Sequence, residues 1–306
     1  MSGDERHVPV LLQQAIRFLN VRPGGVYVDA TLGFAGHASA VARLAGADGR
    51  LICFDRDPEA MALAKARLAE VGRELGETMP QVEFHDVEFS QAAELLEPAS
   101  VDGLLADFGA SSMHFDEARR GFSFQAEGPL DMRMNPREGP TAAQVVNQFG
   151  EKELADLIYE FGEERRSRRI ARAIVRARPI TTTAELARVV SAAAPAMKSG
   201  RHFIHPATQT FQALRIYVNA ELEEIDALLS AAPGLLKPGG RLVVISFHSL
   251  EDRRAKDALR EGARQEIYEV LTRKPVTAEA EETDRNPRAR SAKLRAAEKQ
   301  GEWKRK

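Results

Sequence analysis

The chain has 306 residues, one of them cysteine (Cys53), with 43 Lys and Arg against 45 Asp and Glu. At about 150 residues per domain that length suits about two domains, and it can bury a core without a covalent staple. A lone cysteine excludes an intramolecular disulfide and a Cys-based zinc finger and suits a reducing compartment, while the net charge of −2 argues against a general nucleic-acid coat protein.

The N-terminus carries Asp4, Glu5, Arg6 and Arg17 and lacks the apolar core of a signal peptide. Val26 to Val28 predicts a short strand, Thr31 to Gly36 a turn and His37 to Leu44 a helix. Leu51 to Phe54 predicts a second strand ending at Asp55. Pro58 then sits where a helix favours its first turn, and Glu59 to Val71 has apolar residues at helical spacing. Val82 to Phe84 and Val101 to Ala106 predict two further strands. From Arg119 to Pro140 the chain is rich in Gly and Pro. Helices are expected to begin near Thr141, Glu151, Glu163 and Thr182, the last with the capping-box spacing of Thr182 and Glu185. One long helix is expected over Thr210 to Ala231, a turn over Lys237 to Gly240, and a buried strand over Leu242 to Ile245. Such apolar runs fall far short of the ~20 residues that span a bilayer. Asp284 to Ala289 breaks the pattern before a basic tail. Strands alternating with helices predict an α/β fold with a parallel sheet covered on both faces. The helical segment reads as a domain inserted into it: a discontinuous core at 1–115 and 202–306, and an insert at 116–201. The apolar faces of that insert suit either packing on the core or pairing of two chains in a homodimer. A soluble cytoplasmic protein is expected.

Charge is unevenly spread. Arg285 to Lys306 holds nine Lys and Arg against Glu298 and Glu302, and Glu163 to Arg178 holds seven Arg against two Glu. Each cluster can be a polyanion footprint or a solvated helix face.

The first βα turn reads Asp29-Ala30-Thr31-Leu32-Gly33-Phe34-Ala35-Gly36-His37. Glycines there let a ligand approach the backbone beyond the strand's carboxyl end. Asp55 lies 19 residues after Gly36, about the spacing at which an acid receives a ribose diol. A dinucleotide would want the fuller Gly-x-Gly-x-x-Gly, whose second glycine is here Ala35, and Asp29 and Asp107 at strand ends would repel a pyrophosphate. The same carboxylates suit the sulfonium and ammonium of S-adenosylmethionine, although strand-end capping would also explain them. A methyltransferase is thus favoured over a nicotinamide-dependent oxidoreductase, and the turn with Asp55 argues against a non-catalytic rRNA-binding assembly factor.

Longer motifs extend from His7 to about Glu298. They include His7-Val8-Pro9-Val10-Leu11-Leu12, Phe54-Asp55-Arg56-Asp57-Pro58, Asp107-Phe108-Gly109-Ala110-Ser111-Ser112 and Arg120-Gly121-Phe122-Ser123-Phe124. Gly128 to Met134, Phe161 to Arg165, His205 to Ala213, Ile245 to Arg253 and Asn286 to Ser291 continue the series. Together they resemble the small-subunit (16S) ribosomal RNA cytosine-N4 methyltransferases, the MraW-like methyltransferase H family. The resemblance implies a Rossmann-like class I S-adenosylmethionine-dependent core with its helical insert recognising substrate. It implies methylation, on the exocyclic N4, of a decoding-region cytidine (1402 in rRNA numbering) of 16S rRNA in the small ribosomal subunit. By position, the donor contacts fall on Gly33, Ala35, Gly36, His37, Asp55, Phe89, Asp107 and His114. The family's turn usually reads Gly-Arg-Gly-Gly-His-Ser, so Ala35 replaces a glycine, and His114 stands where Gln is usual. A backbone contact at Ala35 survives if its dihedrals are ordinary.

No Asn- or Asp-Pro-Pro-Tyr segment is present to activate N4, so no single catalytic residue is assigned. A wall of acceptors from Asp107 to Ser112 and from Ser246 and His248 is expected instead. Asp131 can face substrate or cap the insert. His202 and His205, three apart but followed by Pro206, are read as structural or substrate-contacting, and no metal is expected.

Overall fold

The computed structural model describes residues 9–194 and 205–301; His7, His202 and the basic residues at 304–306 lie outside them. The chain divides into two compact units, one of residues 1–109 and 222–306 and the other of residues 110–221.

The first unit opens with helix α1 (Leu12–Leu19), β1 (Val26–Asp29), α2 (Gly36–Ala45), β2 (Arg50–Phe54) and α3 (Pro58–Leu75), followed by β3 (Gln81–His85), α4 (Ala92–Leu95) and β4 (Val101–Asp107). Each strand matches an apolar run of the sequence. In β2, Leu51, Ile52, Cys53 and Phe54 are all buried, as expected of an interior parallel strand covered on both faces. Helix α3 starts as its sequence dictates: the Asp57 carboxylate accepts the Glu59 amide at 2.9 Å and Pro58 occupies the first turn. Proline loses nothing there because that amide has no partner within the helix.

The second unit carries α5 (Ser112–Asp116), α6 (Ala142–Gln148), α7 (Glu151–Gly162), α8 (Ser167–Ala177), α9 (Thr183–Ala193) and α10 (Thr208–Val218). Thr141 caps α6 and Thr182 caps α9, each in a capping box, with Gln144 and Glu185. The helix expected near Glu163 begins later. Glu163 closes α7 in the left-handed region (φ 51), and Glu164 then binds Arg166 at 3.0 Å before α8 starts at Ser167. Leu154, Ile158, Ile170, Ile174, Leu186 and Leu214 join one apolar cluster. These apolar residues of the insert pack on one another within the unit, and α10 belongs to it because Phe211 and Leu214 complete that cluster.

The first unit resumes with α11 (Glu221–Leu235), β5 (Leu236–Ser246), α12 (Ser249–Arg264), β6 (Tyr268–Val270), α13 (Ala280–Arg285) and β7 (Lys293–Lys299). The single helix expected over Thr210 to Ala231 is broken at Asn219. This buried side chain donates to the Met132 carbonyl and accepts from the Met134 amide, at 2.8 and 2.7 Å. Ala220 then takes φ 47, so side-chain bonds to a loop have displaced the helical ladder. The turn expected at Lys237 to Gly240 is a bulge within β5, whose register against β4 jumps from Val101↔Leu236 to Gly103↔Arg241.

The seven strands form one sheet in the order β3-β2-β1-β4-β5-β7-β6. β1 to β5 run parallel, but β7 pairs antiparallel with both β5 and β6, so the sheet is mixed rather than wholly parallel. Three residues of the expected basic tail, Lys293, Arg295 and Lys299, belong to β7. The chain order reverses between β1 and β4, and in open α/β sheets the crevice beyond the strand ends at such a switch point is where ligands bind.

Candidate functional site

The loop after β1 is pinned to both neighbouring strands. The Ala30 amide donates to the Leu105 carbonyl at 2.8 Å and the Leu32 amide to the Phe54 carbonyl at 2.9 Å. The Asp29 carboxylate accepts the Thr31 amide at 3.1 Å, and the Thr31 hydroxyl accepts the Asp107 amide at 2.6 Å. The ends of β1 and β4 are thereby held together. Gly33 takes φ +49, and a Cβ there would meet only the Thr31 carbonyl, at 3.9 Å. Its open side suits close approach of a ligand. Gly36 is packed, since a Cβ would lie 2.2 Å from Pro9 Cγ. Ala35 sits between them at φ 56, ψ 31. The condition of ordinary dihedrals is not met, because alanine here adopts a conformation that glycine takes without steric cost.

Asp55 follows β2 and receives two backbone amides: Gly33 N on Oδ2 and Asp57 N on Oδ1, both at 2.8 Å. The acid is thus fixed to the glycine turn and to the start of α3. Phe89 lies in a short 3₁₀ turn (Phe89–Gln91), its ring 6.3 Å from that of Phe108. Glu224 tethers this turn by accepting the Ser90 amide and hydroxyl at 3.2 and 3.1 Å, and it also lies 3.7 Å from Arg56.

The electrostatics around β1 and β4 are unusual. Burial raises the Asp29 carboxyl from its ordinary 3.8 to about 7, with nearby Asp55 adding to the rise. Asp107 is pushed well above its ordinary value by burial and by the negative charges of Asp29 and Glu251. Its Oδ1 is buried with no hydrogen-bond partner. His37 lies alongside, with Nε2 3.1 Å from the Val10 carbonyl and Nδ1 3.7 Å from Asp107 Oδ2. Burial lowers its pKa to about 4, so the imidazole is neutral at pH 7, with Nε2 protonated and donating. No cation of the first unit's described ion pairs compensates Asp29 or Asp107. An unsatisfied buried carboxylate is costly, and a ligand carrying an ammonium would satisfy it.

At the end of β5, the expectations for Ser246 and His248 diverge. Ser246 is buried and its hydroxyl donates to the Lys293 carbonyl at 3.3 Å, so β7 has taken it out of any acceptor wall. His248 caps α12 with Glu251. Its Nε2 lies 3.0 Å from Glu251 Oε1, off the hydrogen-bonding direction. Glu251 is fully buried, accepts the Phe247 amide at 2.7 Å, and has Oε1 3.6 Å from the position of a Cβ on Gly109. The sequence reading missed this acid. Its signal was the three-residue spacing from His248, which is that of a capping box.

His114 belongs to the second unit. Its Nδ1 accepts the Ser111 amide at 3.1 Å, and its ring stacks on Phe122 at 4.6 Å. Asp131 does not cap a helix with its side chain, a role Thr141 fills. It pairs with Arg133 through Nε and Nη2 at 2.8 and 2.9 Å. Burial alone would raise the Asp131 carboxyl, but Arg133 holds it below its ordinary value. His205 stacks on Phe124 at 4.5 Å, and its Nδ1 accepts the Ala207 amide.

A Rossmann-like sheet, a glycine turn tied to an acid after β2, and an acidic crevice that would repel phosphate define a methyltransferase of the S-adenosylmethionine-dependent class. Comparison with known proteins gives the narrower assignment: the chain belongs to the MraW methylase family, whose model matches residues 4–300. It is 79% identical over 295 residues to the ribosomal RNA small subunit methyltransferase H of Acidobacterium capsulatum, covering 96% of this chain and 99% of that one. The proteins of the same name from Koribacter versatilis and Sorangium cellulosum are 60% and 52% identical, covering 95% and 97% of this chain and 93% and 92% of their own lengths. No helix among the described residues is long and apolar enough to cross a membrane.

Proposed function

We propose that this protein transfers a methyl group from S-adenosylmethionine to the exocyclic N4 of a decoding-region cytidine (1402 in rRNA numbering) of 16S rRNA in the small ribosomal subunit. The rRNA substrate follows from the names of its relatives. The observation that carries the chemistry is the Asp107 carboxyl at the end of β4, with Oδ1 buried and unpartnered beside the glycine turn.

Bound S-adenosylmethionine supplies an electrophilic methyl on a sulfonium. Asp107 would hold its ammonium. Asp55, already oriented by two amides, would accept from the ribose hydroxyls, and hydrogen bonds to a charged acceptor contribute roughly 1.5–3 kcal/mol each. Phe89 would cover the adenine, and the turn would lie against the donor at the open side of Gly33, with Ala35 and His37 buried and Gly36 packed on Pro9 behind it. The cytidine N4 is a weak nucleophile because its lone pair is delocalised into the ring. Acceptors from Asp107 to Gly109 and at His248 would hold its hydrogens and localise the lone pair as the N–C bond forms and the methyl's bond to sulfur breaks, leaving a neutral thioether; one of these acceptors would receive the N4 proton and pass it to water. Alignment is the main contribution asked of the protein, and well-oriented groups are worth roughly 7–11 kcal/mol. The helical insert would recognise rRNA with the target base splayed out.

The test is to incubate the protein with methyl-labelled S-adenosylmethionine and undermethylated small ribosomal subunits, then analyse digested nucleosides by mass spectrometry. Label in N4-methylcytidine is expected. Label in another nucleoside overturns the target, and absence of donor binding overturns the whole reading.

A further inference from the structure

The two basic clusters of the sequence have different fates. In the C-terminal one, Arg295 and Lys293 bind Asp252 at 2.7 and 3.2 Å, Arg285 binds Glu281, and Lys299 donates to the Leu236 carbonyl. Among the described residues, the charge of these four is engaged within the first unit. In the second unit, Ile170, Ala171 and Ile174 of α8 face the core. Arg165, just before α8, and Arg168, Arg169, Arg172 and Arg176 within it are exposed, and the last four, at spacings of three and four, form one helix face. Only Arg172 of these five forms an ion pair among the described residues, with Glu151 at 3.2 Å. Glu164, the nearest acid in sequence, is buried and engaged by Arg166.

This face works against its own helix. Arg168 and Arg172, and Arg172 and Arg176, are like charges at i,i+4, a destabilising arrangement. Arg168 and Arg169 stand in the first turn, where the helix dipole disfavours cations, and no acid occupies that turn. Helix α12 shows the ordinary alternative. Its arginines share the helix with acids: Arg264 pairs with Glu261, and Arg254 pairs across to Asp226 of α11. An arrangement that breaks local electrostatic rules on the surface points to a ligand of opposite sign.

We propose that the arginine face of α8 is the surface on which this protein holds an RNA phosphate backbone. The proposal rests on the methyltransferase reading for the choice of RNA as the polyanion. Arg168, Arg172 and Arg176 follow one another at rises of about 6 Å along the helix, a ladder suited to successive phosphates rather than to a single ion. These contacts carry no base information; they fix register and orientation.

The test compares the full-length wild type with R168A/R172A/R176A and with a control removing three exposed arginines elsewhere, R73A/R260A/R264A. Binding of a fluorescently labelled single-stranded RNA is followed by anisotropy across a salt series, with donor binding by calorimetry as the check on folding. Alanine at exposed helix positions preserves helix propensity. Single-stranded RNA binding falls with a slope of about 0.7 per phosphate contact, so the α8 variant should lose about 2 from the slope of log affinity against log salt. The control should retain the wild-type slope. An α8 variant with the wild-type slope, while wild type still methylates rRNA, overturns the α8 assignment and leaves the function standing. Equal slope losses in both variants overturn it too, as an effect of net charge. Tighter binding of the wild type to anionic lipid vesicles than to RNA would replace RNA with a membrane surface. A wild type that binds donor but neither binds nor methylates RNA overturns both readings.

Discussion

Ala35 shows how an L-residue is accommodated in a left-handed turn conformation. At φ 56 an L-residue bears roughly 1–2 kcal/mol of strain. Glycine would relieve it but would add about 0.5–1 kcal/mol of conformational freedom in the unfolded chain and remove a buried methyl worth about 0.8 kcal/mol. These opposing quantities nearly cancel, so Ala35→Gly should leave stability within about 0.5 kcal/mol of wild type. Ala35→Val adds a β-branched side chain at a fully buried left-handed position and should cost about 2–4 kcal/mol. Urea midpoints at unchanged m-values check both; equal midpoints for the two variants refute the strain argument. The acids beside it give a pH prediction. Asp29, raised to about 7 by burial, contributes stability in its protonated form that is lost as pH rises from 3.8 towards 7. His37 acts oppositely, losing stability as pH falls from 6.5 towards about 4. Placing the donor's ammonium against Asp107 favours its ionised form, so donor binding at a pH where the free protein keeps Asp107 protonated should release protons. Calorimetry in buffers of different ionisation enthalpy reads this directly. Asp107→Asn should diminish the release, and proton uptake by wild type would contradict the assignment.

At the scale of elements, Asp252 of α12 holds β7 by binding both Arg295 and Lys293. Burial alone would raise its carboxyl, but these two cations hold it below 3.8. Asp252→Ala leaves the largely buried Arg295 without this partner and should cost about 2–3 kcal/mol, somewhat below the range for fully buried pairs because Lys293 is partly exposed. The pair's contribution is present above pH 3.8 and lost as pH falls through the depressed value. The difference between wild type and variant should therefore be full in urea melts at neutral pH and shrink in acid, and a pH-independent difference would contradict it. The same element marks a limit of sequence reading. β1, β2 and residues 104–106 of β4 were legible because buried parallel strands read as apolar runs, and the half-exposed edge strand β3 from Val82 and Phe84 on either side of Glu83. β7 was not, because Lys293, Arg295 and Glu298 interrupt a strand whose apolar residues are mainly alanine, and its charges are neutralised only by partners distant in sequence. Asn219 broke an apparently continuous helix for a similar reason: its partners at Met132 and Met134 lie more than eighty residues away. Of the site, Gly33, Asp55 and Asp107 were legible from strand ends and spacing, whereas Glu224 acts through Ser90, 134 residues earlier.

At the scale of the whole molecule, Cys53 offers a single chemical reporter. It lies in β2, paired on one side with Asp29 of β1 and on the other with Phe84 of β3, and is fully buried. Burial raises its thiol well above the ordinary value and Asp29 raises it further, so the native state withholds both access and thiolate from a labelling reagent. Modification must then await opening of the sheet, and its rate measures the population of the open form when closing outpaces labelling. Donor binding at the proposed site beside β1 and β2 would stabilise only the closed form. At a donor concentration of about 100 times Kd, linkage supplies about 2.7 kcal/mol and labelling should slow about a hundredfold. Thiol labelling in mild urea, with and without S-adenosylmethionine, tests this. Rapid native-state modification would contradict the burial of Cys53. Slow modification that donor leaves unchanged would show that the sheet opens locally without dismantling the donor site, separating the stability of β2 from that of the crevice at β1 and β4.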